Sequence, residues 1–160
     1  MNASRTRGFT LLEALLTLVV LSIGLLALAG MQNKGLQNNQ TAYQRSQAVT
    51  MMTDISDRMR ANAVEARAGG YDIAYGAPPP TATDCWKTPC TPAALTAFDQ
   101  AAWKKALAQR LPLGGGAIAT AVGVATVTIR WDENHTGATG LNCPAQSALD
   151  LSCLQMTVVL

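Results

Sequence analysis

Hydrophobic and polar positions divide the chain near residue 31. From Phe9 to Met31 the residues are almost continuously apolar, with one charged side chain, Glu13, inside the run. A run of that length predicts a helix able to cross a bilayer, which takes about 20 residues. From Gln32 the sequence becomes polar, yet no proline occurs before Ala66, and Ala48, Met52, Ile55, Met59 and Ala63 recur at three- and four-residue steps. That period marks one face of a helix. One long helix is therefore expected over about 10–66, apolar in its first half and amphipathic in its second. Asp54, Asp57, Arg58 and Arg60 fall outside the apolar stripe and are expected on the solvated side.

Between Ala68 and Pro92 the pattern is broken by Gly69-Gly70, Gly76, Pro78-Pro79-Pro80 and Pro89, which predicts a loop. Thr91 followed by Pro92 is the signature of a helix start, with threonine as cap and proline in the first turn. A short helix is expected over about 92–110, with Leu95, Phe98, Ala102 and Ala106 on its apolar face, widened by Trp103 and Leu107. Gly114-Gly115-Gly116 is expected to be a flexible connector. Ala117–Ala121 and Val124–Asp132 then predict strands, the second with Val127, Ile129 and Trp131 alternating against Thr126, Thr128 and Arg130. A last strand is expected over about Ser152–Leu160. The order predicts an α+β fold in which a long N-terminal helix packs on a small head with a short helix and an antiparallel sheet.

Charge changes the picture at the N-terminus. The formal net charge is +2, from twelve Lys+Arg against ten Asp+Glu. Arg5 and Arg7 lie before the apolar run and account for the whole excess. They place the N-terminus in the cytoplasm by the positive-inside rule, and the head beyond the membrane. No basic footprint for nucleic acid is left. An ordinary secretory signal is cut after its apolar region, whereas here the small residue Gly8 precedes it.

Four cysteines, Cys85, Cys90, Cys143 and Cys153, follow the run. An even count in a segment beyond the membrane suggests disulfides. Three connectivities are open, and the sequence-local one, Cys85–Cys90 with Cys143–Cys153, is expected. The C-x4-C spacing does not suit a zinc knuckle, and the sole histidine, His135, is remote. Asp132-Glu133-Asn134 lacks the calcium-loop spacing. No Ser/His/Asp or Cys/His arrangement is present, so no enzyme activity, cofactor or metal is expected.

The segment Arg7-Gly8-Phe9-Thr10-Leu11-Leu12-Glu13 resembles the type IV prepilin signature. The resemblance implies cleavage after Gly8 by a prepilin peptidase and N-methylation of the new terminus, Phe9. It divides the chain into a basic leader (1–8), an apolar membrane or filament-core segment (9–31) and a periplasmic head (32–160). A lone carboxylate in such a segment costs about 2.5–3.5 kcal/mol at the bilayer centre. In a filament, Glu13 is expected to face the Phe9 amine of a neighbouring subunit, and the pair sets axial register. The stretch CWKTPCTPAALTAFDQAAW, with the later TVTIRWDE, is similar to minor pilins of the PilV type. That resemblance implies other minor pilins, the major pilin, an inner-membrane assembly platform and a tip adhesin as partners, in twitching motility and adhesion. A minor pseudopilin of type II secretion is the first alternative and a DNA-uptake pilin the second.

Overall fold

Helix α1 runs unbroken over Leu11–Ala61, a stretch free of proline. The computed structural model describes residues 10–160, in two compact units: residues up to Gln40, and Thr41–Leu160. In the first unit every described residue after Thr10 is helical, and nearly every side chain is exposed. In the second, α1 buries Gln44, Ala48, Met51, Met52, Ile55, Ser56 and Met59, the three–four stripe anticipated from the pattern. The packing boundary at Gln40 and the hydropathy boundary at Met31 are different quantities: one reports contacts, the other affinity for lipid.

At Asn62 the dihedrals leave the helical range (φ −116°, ψ 49°), and helix α2 follows over Ala63–Arg67. The backbone ladder continues through the distortion, with Asn62 N–H donating to Arg58 O at 3.1 Å and Ala66 N–H to Asn62 O at 3.1 Å. The helical segment thus reaches the expected end with a kink inside it. Asn62 supplies the cause. Its buried Nδ2 donates to Pro92 O at 2.9 Å and Thr96 Oγ1 at 3.1 Å, so its amide is held by the next helix.

Helix α3 spans Pro92–Arg110. Thr91 caps it, its Oγ1 accepting from Ala94 N–H at 3.3 Å, and proline occupies the first turn, where its missing N–H costs nothing. It ends at Leu111, held extended (ψ 137°) before Pro112, as a residue preceding proline prefers. Strands β1 (Gly115–Ala121), β2 (Val124–Trp131) and β3 (Ser152–Val159) form an antiparallel sheet in the order β1-β2-β3. Ala121 pairs with Val124 across a two-residue turn, and Val124 with Val159 on the other side of β2.

The head core joins Met51, Ile55 and Met59 of α1, Trp103 and Leu107 of α3, Val127, Ile129 and Trp131 of β2, and Val158 of β3. Each fully buried aliphatic side chain stabilises the head by about 1.5–3 kcal/mol relative to exposure. Leu154, Met156 and Leu160 pack at its margin, on the same face of β3 as Val158.

Three expectations are corrected. The buried face of α3 is Thr96, Asp99, Gln100, Trp103, Lys104 and Leu107, while Leu95, Phe98, Ala102 and Ala106 are only half-buried. Polar partners on α1 and in the 70–75 loop make that face favourable. Gly114-Gly115-Gly116 is not a loose connector, since Gly115 and Gly116 begin β1. A Cβ on Gly116 would run into the Trp103 ring and Leu107 Cδ1, and one on Gly115 into the Tyr75 ring. Arg58 leaves the solvated face to bridge α1 and α3.

Candidate functional site

The site begins at the first described turn. Thr10 caps α1: its carbonyl accepts from Glu13 N–H at 3.0 Å and Ala14 N–H at 3.2 Å, and its Oγ1 accepts from Glu13 N–H at 3.3 Å. Thr10-Leu11-Leu12-Glu13 has the S/T-x-x-E spacing of a capping box. Glu13 therefore serves the helix locally as well. An acid in the first turn faces the positive end of the helix dipole. The Thr-x-x-Glu spacing is the sequence signal for this local role, which stands beside the expected assembly contact. The Glu13 side chain is exposed, free to meet another molecule. Arg5, Arg7, Gly8 and Phe9 lie outside the described residues.

Beyond Glu13, α1 presents a continuous apolar surface. Leu15, Leu16, Val19, Val20, Ile23 and Leu26 are all exposed. None of this apolar stretch is buried within the chain. Such a surface must be covered by lipid or by other apolar helices, because exposed area on this scale is unfavourable in water.

In the head the cysteines form the sequence-local pairs, Cys85–Cys90 and Cys143–Cys153. The first closes the loop before α3, on which Trp86 stands exposed and edge-on to Phe98 with ring centres 6.4 Å apart. The second ties the 138–150 segment to the start of β3. Trp103 and Trp131 are core residues, and Trp103 Nε1 donates to Met51 O at 3.1 Å. His135 is exposed in a turn after β2. Asp132 is occupied by Thr136 N–H at 3.0 Å and Gly137 N–H at 2.7 Å. Glu133 is held by Arg45 Nε at 2.8 Å and Ser152 Oγ at 3.3 Å. These carboxylates organise loops, and among the described residues no cluster of three metal-ligating side chains occurs.

A polar junction between α1, α3 and the intervening loop was not anticipated. Asp99, buried, accepts from Arg58 Nη1 at 2.8 Å and from Tyr71 Oη at 2.8 Å. Lys104 is buried as well, its Nζ donating to Ala74 O at 2.7 Å and Tyr75 O at 2.8 Å. Burial, and next the bond to Asp99, push the Tyr71 hydroxyl up to about 12, and burial lowers the Lys104 ammonium from its ordinary value. The signal was present in the spacing of Thr96, Asp99, Gln100, Trp103, Lys104 and Leu107, which is helical. A search restricted to apolar residues cannot register it.

These features are a membrane-length apolar helix that begins at the Thr10 cap and a disulfide-bonded α+β head, together a pilin-like architecture. Comparison with known families agrees. Residues 3–29 match the model described as the prokaryotic N-terminal methylation motif, and residues 30–101 match that of type IV pilin Tt1218. The two stretches adjoin, and both descriptions agree with the pilin-like architecture of the head and long helix. No curated protein and no solved structure matches the chain.

Proposed function

We propose that the chain is a minor pilin that primes type IV pilus assembly. The observation that carries this reading is the placement of Glu13 as the sole ionisable side chain between Phe9 and Met31, in the first turn of an otherwise exposed apolar helix. The precursor inserts in the inner membrane with Arg5 and Arg7 in the cytoplasm and the head in the periplasm. Prepilin peptidase cuts between Gly8 and Phe9, and Phe9 is N-methylated. The methylated amine stays cationic. Glu13 of one subunit then pairs with the Phe9 amine of the next as their apolar helices leave the lipid together. A buried charge is tolerated when it is paired, and the pair is satisfied at one stagger only.

By resemblance to the PilV type, the subunit joins other minor pilins beneath a tip adhesin and supports twitching motility and adhesion. Mass spectrometry of the native N-terminus tests the processing step: methylated Phe9 is expected, and a chain starting at Met1 or after Met31 would overturn it. Deletion separates the role from that of a type II pseudopilin. Loss of surface pili is expected, and loss of protein export with intact pili would assign the pseudopilus instead.

A further inference from the structure

Asn134-His135-Thr136 follows β2 as an Asn-x-Thr triplet, the acceptor pattern for attachment of an oligosaccharide to asparagine. The same pattern occurs at Asn2-Ala3-Ser4 and Asn39-Gln40-Thr41. A pattern this short recurs by chance, so placement decides among the three. Asn2 precedes the apolar run, in the segment expected to stay in the cytoplasm. Asn39 lies inside the unbroken helix α1. Acceptor triplets belong to surface loops. Of the two within the described residues, only Asn134 lies in a loop.

The turn holds this triplet outward. Asp132 is buried, and its carboxylate accepts from Thr136 N–H at 3.0 Å, from the Thr136 hydroxyl at 3.2 Å and from Gly137 N–H at 2.7 Å. Its carbonyl accepts from His135 N–H at 3.3 Å. Glu133 is turned inward as well, held by Arg45 Nε at 2.8 Å and Ser152 Oγ at 3.3 Å. The two residues before Asn134 therefore anchor the turn to the head. The chain then bends away through His135 and Gly137, with φ of 54° and 74°. Asn134, His135, Thr136 and Gly137 are all exposed, and the Asn134 side chain makes no hydrogen bond among the described residues. A Cβ on Gly137 would meet nothing within 4 Å, so there is open space beside the turn. The Thr136 hydroxyl donates to Asp132 and keeps its lone pairs to accept a further bond.

We propose that Asn134 is a glycosylation site, carrying an oligosaccharide on its side-chain nitrogen. In the transfer, Asn134 Nδ2 forms a bond to the anomeric carbon of the first sugar. The bond from that carbon to a polyprenyl pyrophosphate carrier breaks, the amide gives up one proton, and the polyprenyl pyrophosphate leaves. A membrane-bound oligosaccharide transferase supplies the catalysis and reads the Thr136 hydroxyl. The finished head accommodates the sugar because Asn134 stabilises nothing that the new bond would break. A bulky, hydrated chain at this turn would add to the soluble surface of the head. The inference rests on the proposed topology, since the head must reach the far side of the membrane to meet the carrier.

The test is mass spectrometry of the full chain, extracted in detergent from the membranes of the cells that make it. The peptide containing Asn134 is expected to carry an oligosaccharide, and the peptide containing Asn39 to be bare. Asn134→Gln and Thr136→Ala should each lower the modified fraction at least tenfold. Should Thr136→Ala disturb the turn, Asn134→Gln, at an exposed side chain without partners, carries the expectation alone. A bare Asn134 in the native chain, an adduct that survives either substitution in a folded head, or sugar on Asn39 in its place would overturn the proposal. Methylated Phe9 beside a bare Asn134 would refute this inference and leave the pilin reading standing. Sugar on Asn134 in a chain that still begins at Met1 would do the reverse.

Discussion

Arg58 of α1 and Asp99 of α3 meet at 2.8 Å, and Tyr71 reaches the other oxygen of the same carboxylate at 2.8 Å. Asp99 is buried, so its removal leaves the Tyr71 hydroxyl without its acceptor and Arg58 with Asp54 alone, at 3.0 Å. Asp99→Ala is expected to destabilise the detergent-solubilised chain by about 2 kcal/mol, as loss of hydrogen bonds to a charged group does when the cation keeps a second partner. Tyr71→Phe should cost only about 1 kcal/mol, the worth of one hydrogen bond. Urea denaturation followed by circular dichroism measures both, and equal effects would remove Asp99 from the centre of the junction.

The same tyrosine sets an alkaline dependence. Burial, then the bond to Asp99, raise its hydroxyl from 10.0 to about 12. The folded form holds the proton more tightly than the unfolded form. The associated stability is fully present below pH 10 and is lost as pH rises to about 12. Lys104, lowered by burial, works in the opposite sense. The expected result is a steeper loss of stability between pH 10 and 12 in the native chain than in Tyr71→Phe, and identical slopes would contradict it.

Gly116 lies where β1 crosses Trp103 and Leu107. A methyl group there meets the indole ring, so Gly116→Ala should destabilise the head by about 1–3 kcal/mol. Gly76→Ala, with open space around it, is the matched control and should lie within about 0.5 kcal/mol of the native chain. Thermal melts of the two variants decide it.

Val122 and Gly123 form a hairpin turn in which both have positive φ, 47° and 76°. Asn-Gly is the preferred pair for that conformation. Val122→Asn should raise stability by about 1 kcal/mol through removal of left-handed strain, read as a higher melting temperature.

At the N-terminus, Thr10 and Glu13 can be separated. Thr10→Val removes the capping oxygen and should cost the helix start about 1 kcal/mol, while filament incorporation persists. Glu13→Ala is expected to insert in the membrane normally and to be depleted at least tenfold from sheared pili. Recovery of Glu13→Ala at native level in those pili would eliminate the charge-pairing role.

The α-helices, the strands and the membrane-length anchor were legible because each follows from a local repeat. The stripe Ala48–Met52–Ile55–Met59, the Thr91-Pro92 start and the alternation in Val127–Ile129–Trp131 are properties of neighbours in the chain, and secondary structure responds to neighbours. The face of α3 was not legible. Whether Asp99 and Lys104 point inward depends on Arg58, Tyr71 and the carbonyls of Ala74 and Tyr75, which lie far away in sequence and come close only when the helices pack. The same holds for Gly116, whose small size has meaning only beneath Trp103, and for the kink at Asn62, set by Pro92 and Thr96. That β3 is an outer strand of the sheet is likewise a consequence of strand order. Periodicity names an element and its apolar residues; which polar groups become buried, and which edge stays open, depends on the partners that packing brings together.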